Sequence, residues 1–102
     1  MRNKTLGPAP EPYRSTPVFD EATLPAALRR AHRTKSGVWG VIRILQGELN
    51  LCFTEPPETR RLSVGVDGVL EPDQSHFVEL QGPMQMQIDF YTEAPRVISE
   101  DD

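Results

Sequence analysis

The stretch Gly37-Val38-Trp39-Gly40-Val41-Ile42-Arg43-Ile44-Leu45-Gln46-Gly47-Glu48-Leu49-Asn50-Leu51-Cys52-Phe53 decides the fold, because it sets two β-type runs on either side of one glycine. In the first run Trp39, Val41 and Leu45 share one parity with Arg43, while Val38, Ile42 and Ile44 share the other, so both faces are expected to be covered. The second run alternates more cleanly. Leu49, Leu51 and Phe53 fall on one face and Glu48, Asn50 and Cys52 on the other, the period of a half-buried strand. Glycine enters positive φ without steric cost, so Gly47 marks a bulge, a tight turn or a close backbone approach. The plainest reading is a hairpin that turns there.

Downstream, Thr59 to Val64, Val69-Leu70, Ser75 to Leu80 and Met84 to Tyr91 read as further strands. The punctuation between them is Glu55-Pro56-Pro57-Glu58, Val66-Asp67-Gly68, Pro72-Asp73-Gln74 and Gly82-Pro83. Short strands separated by such turns predict a β-sandwich or barrel. Upstream, Pro8, Pro10 and Pro12 block both ladder bonding and helix continuation, and Asp20, Pro25 and Ala26-Ala27-Leu28 predict a single helical turn before the next strand. The chain therefore divides into a proline-rich arm (1–15), an all-β domain (16–95) and an acidic tail (96–102) expected to be mobile.

A length of 102 residues predicts one domain. No run approaches the ~18 apolar residues of a membrane helix, and the first residues lack the apolar core of a signal peptide, so a cytoplasmic, membrane-free protein is expected. A net charge of −4 argues against a nucleic-acid partner. The densest basic patch, Arg29, Arg30, Arg33 and Lys35, is read as a solvated edge or a rim that attracts a small anion. Cys52 is the only cysteine and is expected to be a small packed side chain, not a nucleophile.

Five segments carry a family resemblance. These are Thr16-Pro17 with Leu24-Pro25, His32 to Gly40, Leu45-Gln46-Gly47-Glu48-Leu49, Glu71 to Glu79, and Asp89-Phe90-Tyr91. In this order they resemble the small cupins related to the N-terminal domain of tellurite-resistance proteins, over roughly Pro12 to Pro95. The resemblance implies a cupin-type jelly roll, a double-stranded β-helix barrel, with the dimeric habit of such domains. The methyltransferase domain that can accompany it is not expected in this length, so methyl transfer to tellurium is not carried over.

Cupins place two histidines and a glutamate on a first motif and one histidine on a second, around a divalent metal. By that resemblance His32 and His76 take two of the ligand places, whereas Thr34 and Gly40 stand where the others would be. Zinc, nickel, iron or manganese needs about three or four ligands, so carboxylate or amide help is required. Asp89 is the better helper, because on a regular strand Glu79 points away from the face of His76. The histidines are equally read as polar strand residues satisfied by hydrogen bonds or water. Trp39, Arg43 and Gln87 are the candidates for a ligand pocket, with Trp39 more in keeping with core and Arg43 with a solvent-facing position.

Together these readings predict a homodimeric protein that binds a small anionic or polar ligand, or a metal, in its barrel and acts in oxyanion or metal stress. The alternative is a metal-dependent cupin enzyme of dioxygenase or isomerase type. The dimer follows from counting faces: Met84, Met86, Ile88 and Phe90 are expected to form an apolar surface left for a partner.

Overall fold

Two long strands organise the molecule, and both bend. The computed structural model describes residues 10–95, so the expectations for residues 1–9 and 96–102 lie outside the described residues. β1 (Arg14–Ser15) and β2 (Phe19–Asp20) precede a 3₁₀ turn at Ala26–Arg29 and β3 (His32–Arg33). β4 (Trp39–Thr54), β5 (Pro57–Ser63), β6 (Gly68–Leu70) and β7 (Ser75–Tyr91) follow. All pair antiparallel in one sheet whose main path is β1-β7-β4-β5; it ends at β1 and β5 and is not closed.

The run from Gly37 to Phe53 does not turn back as a hairpin at Gly47. From Trp39 onward it is the single strand β4, which pairs with β7 along nearly its whole length, with register shifts between Ile44 and Gln46 and between Gly47 and Leu49. Leu45 is the extra residue of the first bulge: Ile44 faces Met86 and Gln46 faces Gln85, which leaves Leu45 without an opposite number and 42% exposed. One inserted residue reverses the alternation. Ile42 and Ile44 therefore point inward before it, and Leu49, Leu51 and Phe53 after it. Gly47 sits at φ 74°, where a Cβ would stand 2.4 Å from the Pro83 carbonyl oxygen, so this residue is both a left-handed kink and a close approach.

β7 is likewise one strand where two were expected, continuous through Gly82-Pro83. Its first half pairs with β3 and the second half of β4; its last half pairs with β1, β2 and the first half of β4. β5 lies beside the second half of β4 and β6 beside the first. The inward residues of both halves meet in one cluster that includes Ile42, Ile44, Leu49, Leu51, Leu62, Leu70, Val78, Met86 and Ile88. The sheet has thus folded over on itself as two layers around a shared interior, the solution available to a sheet with one apolar face.

This corrects the expected second apolar surface. Met84, Met86 and Ile88 are buried inside the chain and Phe90 packs against the same cluster, so that face is the core itself. The parity reversal at Leu45 explains the change, because the two arms of β4 offer one continuous inner face instead of two competing ones.

Candidate functional site

The turn before β7 sets the site. Glu71 to Gln74 closes with the Gln74 amide donating to the Glu71 carbonyl at 3.3 Å, and the Gln74 side chain accepts from the Glu71 amide at 2.9 Å. Asp73 occupies φ 59°, a conformation its short polar side chain tolerates. The turn is stitched to β3: the Asp73 amide donates to the Thr34 carbonyl at 2.9 Å, and Arg33 donates to the Asp73 carbonyl at 2.7 Å. The Gln74 carbonyl in turn accepts from the Thr34 amide at 3.2 Å and from His76 Nδ1 at 2.9 Å.

His32 is held in the same way from the other strand, its Nδ1 lying 3.0 Å from the Arg30 carbonyl. A carbonyl oxygen only accepts, so both Nδ1 atoms must carry the proton. In the neutral rings the lone pair is then left on both Nε2 atoms. The register pairs His32 with His76, and the rings meet edge to face with centroids 4.3 Å apart. Burial pushes the His76 imidazole below its ordinary pKa, the Gln74 carbonyl opposes this, and the neighbouring His32 adds to the lowering.

Both histidines line a cavity of about 280 Å³ between the two layers. Its walls come from separate parts of the chain: Tyr13 and Arg14 of the arm, Leu28 of the 3₁₀ turn, Arg33 to Lys35 with Val38, Leu70 of β6, and Ile88 and Phe90 of β7. Arg33 is committed to Glu55 at 2.8 Å and to the Asp73 carbonyl, so its charge is partly spent within the protein.

The other residues singled out in the sequence lie elsewhere. Arg43, Gln87 and Trp39 do not line the cavity. Arg43 Nε donates to Asp89 at 2.7 Å and its Nη2 to Gln87 at 2.7 Å, on the sheet face opposite the core. Ser15 donates to the other Asp89 oxygen at 2.6 Å and Gln87 donates to the Thr16 carbonyl at 2.7 Å, so the cluster ties the arm to β7. Burial alone would raise the Asp89 carboxyl, but the hydrogen bonds from Arg43 and Ser15 hold it below the usual carboxylate range. Asp89 is thus not brought to the histidines. Glu79 is not either: it pairs across from Asn50 and lies by Cys52, whose thiol burial pushes upward.

Among the described residues no three His, Cys, Asp or Glu side chains gather as a metal-binding group. The donor set is two imidazole nitrogens. It does not make a complete three- or four-ligand protein shell, and a metal held there would take its remaining ligands from solvent or a bound molecule. Sequence reasoning missed Arg14 and Tyr13 as cavity residues. Strand β1 is two residues long, too short for any alternation to reveal.

The pattern of the TehB-like domain matches residues 14–88. A solved structure of a protein from E. coli (strain K12) is similar, with TM-score 0.76 and 22% identity over 92% of this chain and 100% of that one, a likeness of fold. TehB from Haemophilus influenzae is also similar, with TM-score 0.73 and 25% identity over 84% of this chain and 32% of its own. The chain spans about a third of the length of that TehB. No curated protein gives a significant match to the chain.

Proposed function

The chain belongs to the TehB-like domain family, a tellurite-resistance-related family, and from that premise we propose that it is a cupin-type jelly roll whose interlayer cavity binds a small anionic or polar ligand in oxyanion or metal stress. The observation that carries this reading is the pair of histidines, each tethered through Nδ1 to a backbone carbonyl, at a cavity whose lining includes Arg14, Arg33 and Lys35. Fixed ring nitrogens with no hydrogen-bond partner among the described residues, beside cationic side chains, suit recognition more than packing. The bent strands and doubled layers support the jelly-roll assignment.

The same tethering favours a second reading. Metal-bound histidines almost always donate their other ring N–H to a carbonyl or carboxylate, which fixes the tautomer. His32 and His76 would hold a divalent transition metal through Nε2, and the metal would supply an electropositive point at which a ligand oxygen binds. We place the homodimer alongside these as a proposal, on a surface other than the methionine face.

The test follows the imidazole nitrogen signals of the full chain by NMR during titration with zinc, nickel and phosphate. Zinc or nickel is expected to shift His32 and His76 together and to raise the melting temperature, as binding to the native state requires. The effect should strengthen as pH rises and neutral imidazole predominates, and His32→Ala should abolish it. Signals unmoved by metals, by phosphate and by small organic anions alike would refute the site.

A further inference from the structure

We infer, building on the reading of this cavity as a ligand site, that its ligand is a small one-ring carboxylate bearing a hydroxyl, for which the hydroxybenzoates are the simplest probes. Three features of the lining specify it, one for each part of the molecule.

The first is charge. The chain has 15 acidic residues against 11 lysines and arginines, yet among the described residues the cavity is lined by Arg14, Arg33 and Lys35 and by no aspartate or glutamate. Arg33 is turned toward Glu55, and among the described residues Arg14 and Lys35 form no ion pair with a carboxylate. An anionic head meets a local field opposite in sign to that of the protein as a whole. A planar carboxylate also matches the donor fork of an arginine.

The second is the apolar wall. Leu28, Val38, Leu70, Ile88 and Phe90 make up most of the rest of the lining, and four of these belong to or flank the two layers. A bare inorganic oxyanion would leave that wall facing water. An apolar body would cover it, and a volume of about 280 Å³ lies just below the ~300–1,000 Å³ of drug-sized sites, which limits the body to about one ring.

The third is the hydrogen-bonding sense of the histidines. With Nδ1 donating to a carbonyl in each ring, a neutral imidazole offers only an acceptor at Nε2. A carboxylate alone cannot donate to it, so the ligand must bring a hydrogen-bond donor, and an O–H is the simplest. The three demands together exclude simple fatty acids, which lack the donor, and phenols, which lack the anion.

Calorimetric titration of the metal-free full chain at pH 7.5 tests this with 2-, 3- and 4-hydroxybenzoate, benzoate, phenol and phosphate. The best hydroxybenzoate should bind about ten-fold tighter than benzoate and than phenol, the worth of one good polar contact. Arg14→Gln and Lys35→Gln should each weaken it at least about three-fold while leaving phenol unaffected. His32→Asn should reduce it to the level of benzoate; circular dichroism and the unfolding midpoint confirm that each variant is folded. Absence of hydroxybenzoate binding up to about 10 mM, equal binding of benzoate, or displacement by phosphate overturns the inference. If zinc or phosphate moves the histidine signals while the aromatic acids do not bind, this ligand class fails and the histidine site stands; if none of them acts, both fall.

Discussion

Replacing Gly47 by alanine tests the bend on which both layers depend. Two costs add. At φ 74° an alanine is in the left-handed region, worth about 1–2 kcal/mol. Its Cβ would also stand 2.4 Å from the Pro83 oxygen and 3.0 Å from Met84 Cα, both backbone atoms that cannot rotate away, and overpacking of this kind costs about 1–3 kcal/mol. The sum is about 2–5 kcal/mol against a total stability of about 5–15 kcal/mol for an ordinary domain. Gly65 provides the control, since it has φ 88° and open space within 4 Å of where a Cβ would stand, so Gly65→Ala incurs only the conformational cost. Urea unfolding of the two variants beside the wild type separates the terms. Gly47→Ala should lose at least about 1 kcal/mol more than Gly65→Ala, or about 4–8 °C more in melting temperature. Equal losses would show that the strands do not approach as described and that the bend has another origin.

Other outcomes follow from the same geometry. The folded pKa of His76 lies below its unfolded value of about 6.5, so as pH falls through that value the unfolded chain takes up a proton that the folded chain refuses; stability is full above it and declines below. Urea midpoints at pH 7.5 and 5.5 should show this decline in the wild type and a smaller one in His76→Gln, and identical slopes would refute it. Arg43→Ala should cost about 1–3 kcal/mol by leaving the buried Asp89 carboxylate short of its partner, discounted because Arg43 is itself over a third exposed; a change below about 0.5 kcal/mol would mean the cluster is solvent-screened. Met86→Glu should abolish cooperative unfolding, because it places a charge in the core and not on a subunit surface. Light scattering of the wild type tests the homodimer, with a mass near twice 11.5 kDa expected and a monomer at ~100 μM refuting it.

The all-β class is legible because Leu49, Leu51 and Phe53 alternate and the turn residues recur between the strands. The bend is written there too, in a form easily taken for a hairpin: the core residues of β4 fall on even numbers through Ile44 and on odd numbers from Leu49. A parity change without a turn dipeptide between is the mark of a bulge. The two histidines are paired in the sequence through resemblance alone, since they lie far apart in the chain and only strand register brings them together. Asp89 could not be placed from sequence, because which of its neighbours faces it depends on the same register; it meets Arg43 and Ser15 instead. Arg14 is illegible for a simpler reason. Its strand is held by backbone bonds, such as the Tyr13 amide to the Phe90 carbonyl at 2.9 Å, and by the Ser15–Asp89 bond, and two residues are too few to show a side-chain pattern.

The arm that supplies Tyr13 and Arg14 to the cavity joins the sheet through a partner distant in the chain: Ser15 and Asp89 are 74 residues apart. Closing loops of that length loses chain entropy before any contact repays it, which places such a topology among slow folders, in the range of about milliseconds to seconds. The β4–β5 hairpin, closed through Glu55 and Pro56, can form early, whereas the wall that carries Arg14 must wait for the last strand to be in place. A ribosome-bound chain would have its hairpin before it had a cavity, and ligand binding would report the final step of folding.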